Sequence, residues 1–112
     1  MSMTAEPKDE NLTFRITDED LHPHLRARMS QRGVTREEIE ITLNKGWEAV
    51  DAKVGTYGKV FVFPFGKEWE GRVYEEKEVT VYYKILEGKL ILLTVKARYG
   101  KFTRGVKDED GI

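Results

Sequence analysis

Residues 76–99 constrain this chain more than any other stretch, because both of their faces can be assigned residue by residue. Val79, Val81, Tyr83 and Ile85 alternate with Glu78, Thr80, Tyr82 and Lys84. After Leu86-Glu87-Gly88, Ile91, Leu93, Val95 and Ala97 alternate with Leu92, Thr94, Lys96 and Arg98. A period of two over both runs predicts a half-buried β-hairpin. A three-residue loop ending in glycine suits a type I turn closed by a bulge, with Gly88 in the left-handed region. That register sets Val81 opposite Leu93 and Val79 opposite Val95 on the core face. On the other face it sets Glu78 opposite Lys96 and Glu76 opposite Arg98.

Two helices upstream supply a cover for the apolar face. Residues 1–11 have little to bury and read as a disordered lead-in. Residues 12–16 alternate and fit a short edge strand. Pro23 sits badly inside a helix begun at Thr17, so 17–20 reads as a turn and the helix starts near Pro23, where a missing N–H costs little. Leu21, Leu25 and Met29 form its apolar stripe, and Gly33 stops it. In the second helix Thr35 and Glu38 make a capping box, and Val34 and Ile39 a hydrophobic staple. Ile39 and Leu43 face inward, and Asn44-Lys45-Gly46 ends the helix. The period then changes to two: residues 48–54 read as a strand, 55–58 as a turn, 59–65 as a strand, and 66–71 as a polar loop tipped by Trp69. The expected architecture is α+β, two N-terminal helices packed on a four- to five-stranded antiparallel sheet. It forms a single domain over residues 12–99, with a C-terminal tail at 100–112.

A length of 112 residues is enough for one modest core. There is no cysteine, hence no disulfide framework and no thiolate metal site. No apolar run approaches the roughly 20 residues that span a bilayer, and the polar N-terminus does not resemble a signal peptide, so no membrane association and a cytoplasmic location are expected. The net charge of −1 argues against strong non-specific binding to nucleic acid by the whole molecule. The distribution is less even. Residues 1–20 carry six acids against Lys8 and Arg15, whereas 96–107 carry Lys96, Arg98, Lys101, Arg104 and Lys107 with no acid. His22 and His24 flank a proline without a third ligand, so neither a metal nor another cofactor is expected. Phosphate-binding loops, dinucleotide fingerprints and nucleophile elbows are missing from the sequence.

The run His24-x-x-x-Arg28-Met29-x-x-Arg32-Gly33-Val34-Thr35-x-Glu37-Glu38-Ile39, followed by strands ending in Leu93-Thr94-Val95, resembles the domain-of-unknown-function family 4258. That family is akin to BrnT toxins and, more distantly, to RelE and ParE toxins. The resemblance covers roughly residues 22 to 98 and rests on pattern rather than on a long identical stretch. It implies a RelE-like fold: a strand, two helices, then an antiparallel sheet. It also implies a metal-independent ribonuclease that works without a cofactor, with RNA or the ribosome as target and an antitoxin protein as partner.

On that footing His24, Arg28, Lys84, Lys96, Arg98 and Tyr99 are the candidate catalytic residues, and Arg32, Tyr82, Lys101 and Arg104 the candidate RNA-binding ones. His24 and Arg28 are four apart, with Gln31 and Arg32 continuing their side of the first helix. A histidine there would serve as general base for a ribose 2′-OH while the arginines hold phosphate. The competing role is a solvated stripe whose arginines pair with Glu37, Glu38 or the sheet. Tyr82, Lys84, Lys96 and Arg98 share a sheet face by the hairpin register, with Tyr99 and Lys101 following. Lysine, arginine and tyrosine cleave RNA only with strongly perturbed pKa values or by charge stabilisation. Alternatively they bind RNA passively, with Tyr82 stacking on bases. The plainest alternative pairs Lys96 and Arg98 with Glu78 and Glu76 across the hairpin. Phe61, Phe63 and Phe65 suit sheet packing, whereas Trp69 suits the cap of an interface.

Two functions therefore stand side by side: a RelE/BrnT-like ribonuclease toxin or RNA-binding relative, and a non-catalytic module of the same fold that binds a protein or forms a homo-oligomer through a sheet edge. Convergence of the His24–Arg28 stripe and the Lys96–Arg98 strand end on one cleft favours the first. Placement on opposite faces, or neutralisation by carboxylates, favours the second.

Overall fold

Four antiparallel strands lie in chain order across one sheet, and two helices cover one of its faces. The computed structural model describes residues 14–102. The helices are α1 (Pro23–Arg32) and α2 (Arg36–Lys45); the strands are β1 (Trp47–Glu48), β2 (Tyr57–Trp69), β3 (Arg72–Leu86) and β4 (Lys89–Gly100). This is the α+β arrangement expected, with four strands.

Local chemistry fixes the helix ends. Pro23 opens α1, the ring Nδ1 of His22 accepts the Leu25 N–H at 3.2 Å, and Gly33 closes the helix at φ 71°. Thr35 and Glu38 form the capping box of α2 reciprocally, at 3.0 and 3.1 Å. Val34 and Ile39, the staple pair, are both buried. The core sets Leu21, Leu25, Val34, Ile39 and Leu43 against Val79, Val81 and Tyr83 of β3 and Leu92 and Val95 of β4. Full burial of each such aliphatic chain is worth about 1.5–3 kcal/mol.

The β3–β4 hairpin forms, in a different register. Leu86 pairs with Lys89, so the loop has two residues, Glu87 and Gly88, both at positive φ (51° and 78°). Two such residues match a type I′ turn, whose twist suits the flanking strands better than a type I turn. Opposite Tyr82 and Tyr83 the register shifts by one, leaving Leu93 as a bulge in β4. The bulge flips the distal alternation, so Leu92 is buried and Leu90 packs on the core where Leu93 and Ile91 were expected. Val81 consequently faces Val95, Val79 faces Ala97, Thr80 faces Lys96 and Glu78 faces Arg98.

Three further expectations are corrected. The strand at 48–54 shrinks to β1, because the chain turns away after Glu48 and leaves Val50 and Val54 fully exposed. The loop at 66–71 is instead paired strand around a two-residue turn, Glu70-Gly71, at φ 49° and 89°. A bulge at Phe65-Gly66 lets β2 continue past Pro64. Where an edge strand was expected at 12–16, the described part from Phe14 onward joins no strand; it hydrogen-bonds to side chains of α2. Leu12 and Thr13, the lead-in, and the tail beyond Phe102 lie outside the described residues.

The sheet has two unlike margins. At the β4 margin, His22 Nε2 donates to Leu92 O at 3.0 Å and Arg32 Nη1 to Val95 O at 2.8 Å, so both ends of α1 are tied to it. Leu92 and Val95 are three apart, and the Leu93 bulge is what turns both carbonyls outward. At the other margin β1 covers only Lys59 and Val60 of β2. Ala49 N–H donates to Gly58 O, so even-numbered residues of β2 point their backbone groups away from β3 as far as the bulge. Pro64 falls in that set and has no N–H to offer.

A candidate binding groove on the open sheet face

The face of the sheet away from the helices is concave between the segment after β1 and the β4 margin. It forms an open groove of about 680 Å³ floored by Val60, Thr80 and Glu78. Trp47 and Asp51 wall one side, and Arg32, Lys96 and Arg98 the other. Alternation along β3 and β4 places Tyr82, Lys96 and Arg98 here, and Arg32 arrives from the end of α1 by wrapping round the β4 margin.

Each cation in the groove is already held. Lys96 Nζ lies 3.2 Å from Asp51 Oδ2 and over the Tyr82 ring, 5.2 Å from its centroid. The Tyr82 hydroxyl donates to the same carboxylate at 2.8 Å. Arg98 Nε donates to Glu78 Oε1 at 2.9 Å, and its guanidinium lies 4.9 Å from the centre of the Phe102 ring. Arg32 is spent on the Val95 carbonyl. Arg32, Lys96 and Arg98 are balanced by Glu48, Asp51 and Glu78 within the same lining.

The titration shifts follow from these contacts. The Tyr82 hydroxyl, then the Lys96 ammonium, hold the Asp51 carboxyl below its ordinary value. Hydrogen bonding to Tyr82 and then to Asp51 raises Lys96, and desolvation raises Tyr82. Every shift leads away from neutrality, the opposite of what a general acid or base working near pH 7 requires.

The remaining candidates are elsewhere. Tyr99 points to the helix side: its hydroxyl donates to Arg32 O at 2.6 Å, its ring is stacked on Trp69, and desolvation pushes it up to about 12, with Glu38 and Glu70 adding to the effect. His24 stacks on His22 with ring centres 6.2 Å apart, and Arg28 donates to Gln31 at 3.0 Å. Neither lines the groove. Lys84 shares the open face two residues nearer the hairpin turn than Tyr82, outside the lining. Lys101 pairs with Glu75 at 3.4 Å. Arg104 lies outside the described residues. Of the ten candidates, the structure brings together Arg32, Tyr82, Lys96 and Arg98.

The register predicted from alternation sets Glu78 against Lys96 and Glu76 against Arg98. The shifted register gives Glu78 to Arg98, while Glu76 accepts the Phe102 N–H. Asp51 has no local signature in the sequence, because it meets its partners 31 and 45 residues away. Nor does alternation single out Lys77, only 3% exposed, which bonds both oxygens of Glu38 and the Gly33 carbonyl. Among the described residues no group of three or more histidine or acidic side chains is placed to hold a metal. Both ring nitrogens of His22 are engaged with backbone. No helix among them is long and apolar enough to cross a membrane.

No family model matches the chain, and neither a curated protein nor a solved structure is significantly similar to it.

Proposed function

We propose that this protein is a non-catalytic binding module whose open-face groove receives a protein partner. The observation that carries this is the matched charge of the groove: Lys96 and Arg98 each reach a carboxylate within 3.2 Å, supplied by a different segment of chain. A polyanion is attracted by uncompensated cations released from their counterions. A groove with equal numbers of both signs around Trp47, Val60 and Tyr82 has instead the mixed polar and aromatic character of protein interfaces. The separation of His24 and Arg28 from Lys96 and Arg98 adds support, because a general base must reach the atom that it deprotonates.

A second function is favoured by one observation. Arg32, Tyr82, Lys96 and Arg98, four of the residues that resemblance to RelE and BrnT toxins marks for catalysis or RNA binding, line a single groove on a sheet backed by two helices. There the protein would be a metal-independent ribonuclease acting on RNA or the ribosome and held by an antitoxin.

Induced expression in a bacterial host separates the two. The binding module predicts normal growth and intact cellular RNA from soluble, folded wild type. Growth arrest with new RNA 5′ ends, abolished by Lys96→Ala/Arg98→Ala, overturns it in favour of the ribonuclease.

A further inference from the structure

The outer side of α2 holds a stretch of extended chain in the way a neighbouring strand would. Arg36, Glu40 and Asn44 stand four apart along one row of the helix. Asn44 accepts the Phe14 N–H through Oδ1 and donates through Nδ2 to Phe14 O, both at 3.0 Å. Glu40 Oε2 accepts the Ile16 N–H at 2.9 Å, and Arg36 Nη1 donates to Ile16 O at 3.0 Å. Alternate residues thus have both backbone groups satisfied, as in a strand ladder, by side chains alone. Ile16 is only 2% exposed, and the Phe14 ring meets Tyr83 edge-on at 6.0 Å. Beside this strap an open groove of about 760 Å³ runs along α2, lined in part by Arg15, Ile41 and Lys45.

We infer that this row of α2 is a receptor for extended chain, and that its occupant exchanges reciprocally with the same segment of a second copy of the protein. The four bonds join residues 20 to 30 apart in sequence, so none of them requires the strap to belong to the same molecule. Strap and body are joined by the 3-10 turn Asp18–Asp20, which is closed by its own backbone bonds, by the Asp20 carboxylate on Thr17 N–H, and by Arg26 on Asp18 O and Leu21 O. The turn sets three carboxylates in a row, and the salt bridge from Arg36 reaches Asp18 at 3.9 Å. Opening the turn gives up the bonds that close it while every strap contact is remade in the other copy, so the cost of exchange is confined to that turn. The occupant is a second copy because the segment that fits the aromatic-x-aliphatic spacing of the site is the chain's own. This inference is independent of the function given to the open-face groove.

The test uses Arg15→Cys/Ile41→Cys in a protein that otherwise has no cysteine. Both side chains are exposed and line the same groove, so the strap bonds and the core are left intact. Light scattering after size exclusion, from micromolar to millimolar protein, is expected to show a species of twice the 13.0 kDa chain mass growing with concentration. The isolated dimer and monomer are then treated with a short bis-maleimide and denatured. Exchange predicts a covalent dimer from the first and a chain of monomer mass from the second. Two results overturn it: a mass fixed at one chain at every concentration, or a dimer whose cross-links all fall within single chains. The latter means association through another surface.

Discussion

Trp69 lies flat on Tyr99, with ring centres 5.0 Å apart and planes 12° from parallel, and the pair closes over Gly33. The far end of the β2–β3 hairpin is thereby folded onto the link between the helices. A tryptophan that the sequence places at a loop tip caps an interface within the molecule.

Gly33→Ala is expected to open that cap. A Cβ there would meet Trp69 Cζ3 at 2.6 Å and the Tyr99 hydroxyl at 2.7 Å, at a backbone φ of 71°. Strain and overpacking together cost at least about 2 kcal/mol. Urea unfolding should register the loss along with a change in tryptophan emission; a midpoint identical to wild type would show that the stack yields freely.

Lys77→Met should cost about 3 kcal/mol, since it strands the Glu38 carboxylate beside the core and unties the Gly33 carbonyl. The matching change at an exposed ion pair, Lys96→Met, should cost less than about 1 kcal/mol. Thermal melts of the two variants provide the comparison, and equal losses would refute the difference assigned to burial.

Thr42→Val is expected to stabilise the protein by about 1 kcal/mol. Thr42 is fully buried, and its hydroxyl finds no hydrogen-bond partner. Valine has nearly the same shape without the desolvated oxygen. A lowered melting temperature would indicate that the hydroxyl is satisfied in solution.

Acid should release the segment after β1 from the sheet. The Asp51 carboxyl is held below its ordinary value, so its contribution to stability is present above the unfolded pKa of about 4 and is lost as pH falls through the lower folded value. Wild type should therefore exceed Asp51→Asn in stability at neutral pH, and the difference should vanish in strong acid. A difference that persists unchanged below pH 2 would assign the effect to something other than ionisation.

What was legible in the sequence was short-range. Thr35 and Glu38, Val34 and Ile39, Pro23 and Gly33 act within one helical turn, so spacing alone exposes them. Hairpin existence was also legible, because alternation survives any register. Register itself was not, since Leu86-Glu87-Gly88 suits a three-residue loop as well as Glu87-Gly88 suits a two-residue one, and nothing in the alternation marks Leu93 as the bulge. The groove inherits that gap: which acid meets Lys96 or Arg98 depends on register and on a segment more than 40 residues upstream of Lys96. The strap has the sequence pattern of a strand because alternation reports burial on one side; its partner, a row of helix side chains, leaves the same imprint as a neighbouring strand.

Pro64 has a consequence for how far association can run. Between β1 and the bulge, the free margin of β2 presents Val62 and Pro64, and only the valine carries a donor. An open-ended stack of sheets consumes both margins of every molecule it adds, so a block on one margin stops growth even if the other stays receptive. The missing donor at Pro64 thus blunts this stretch of the β2 margin as a template for an added strand.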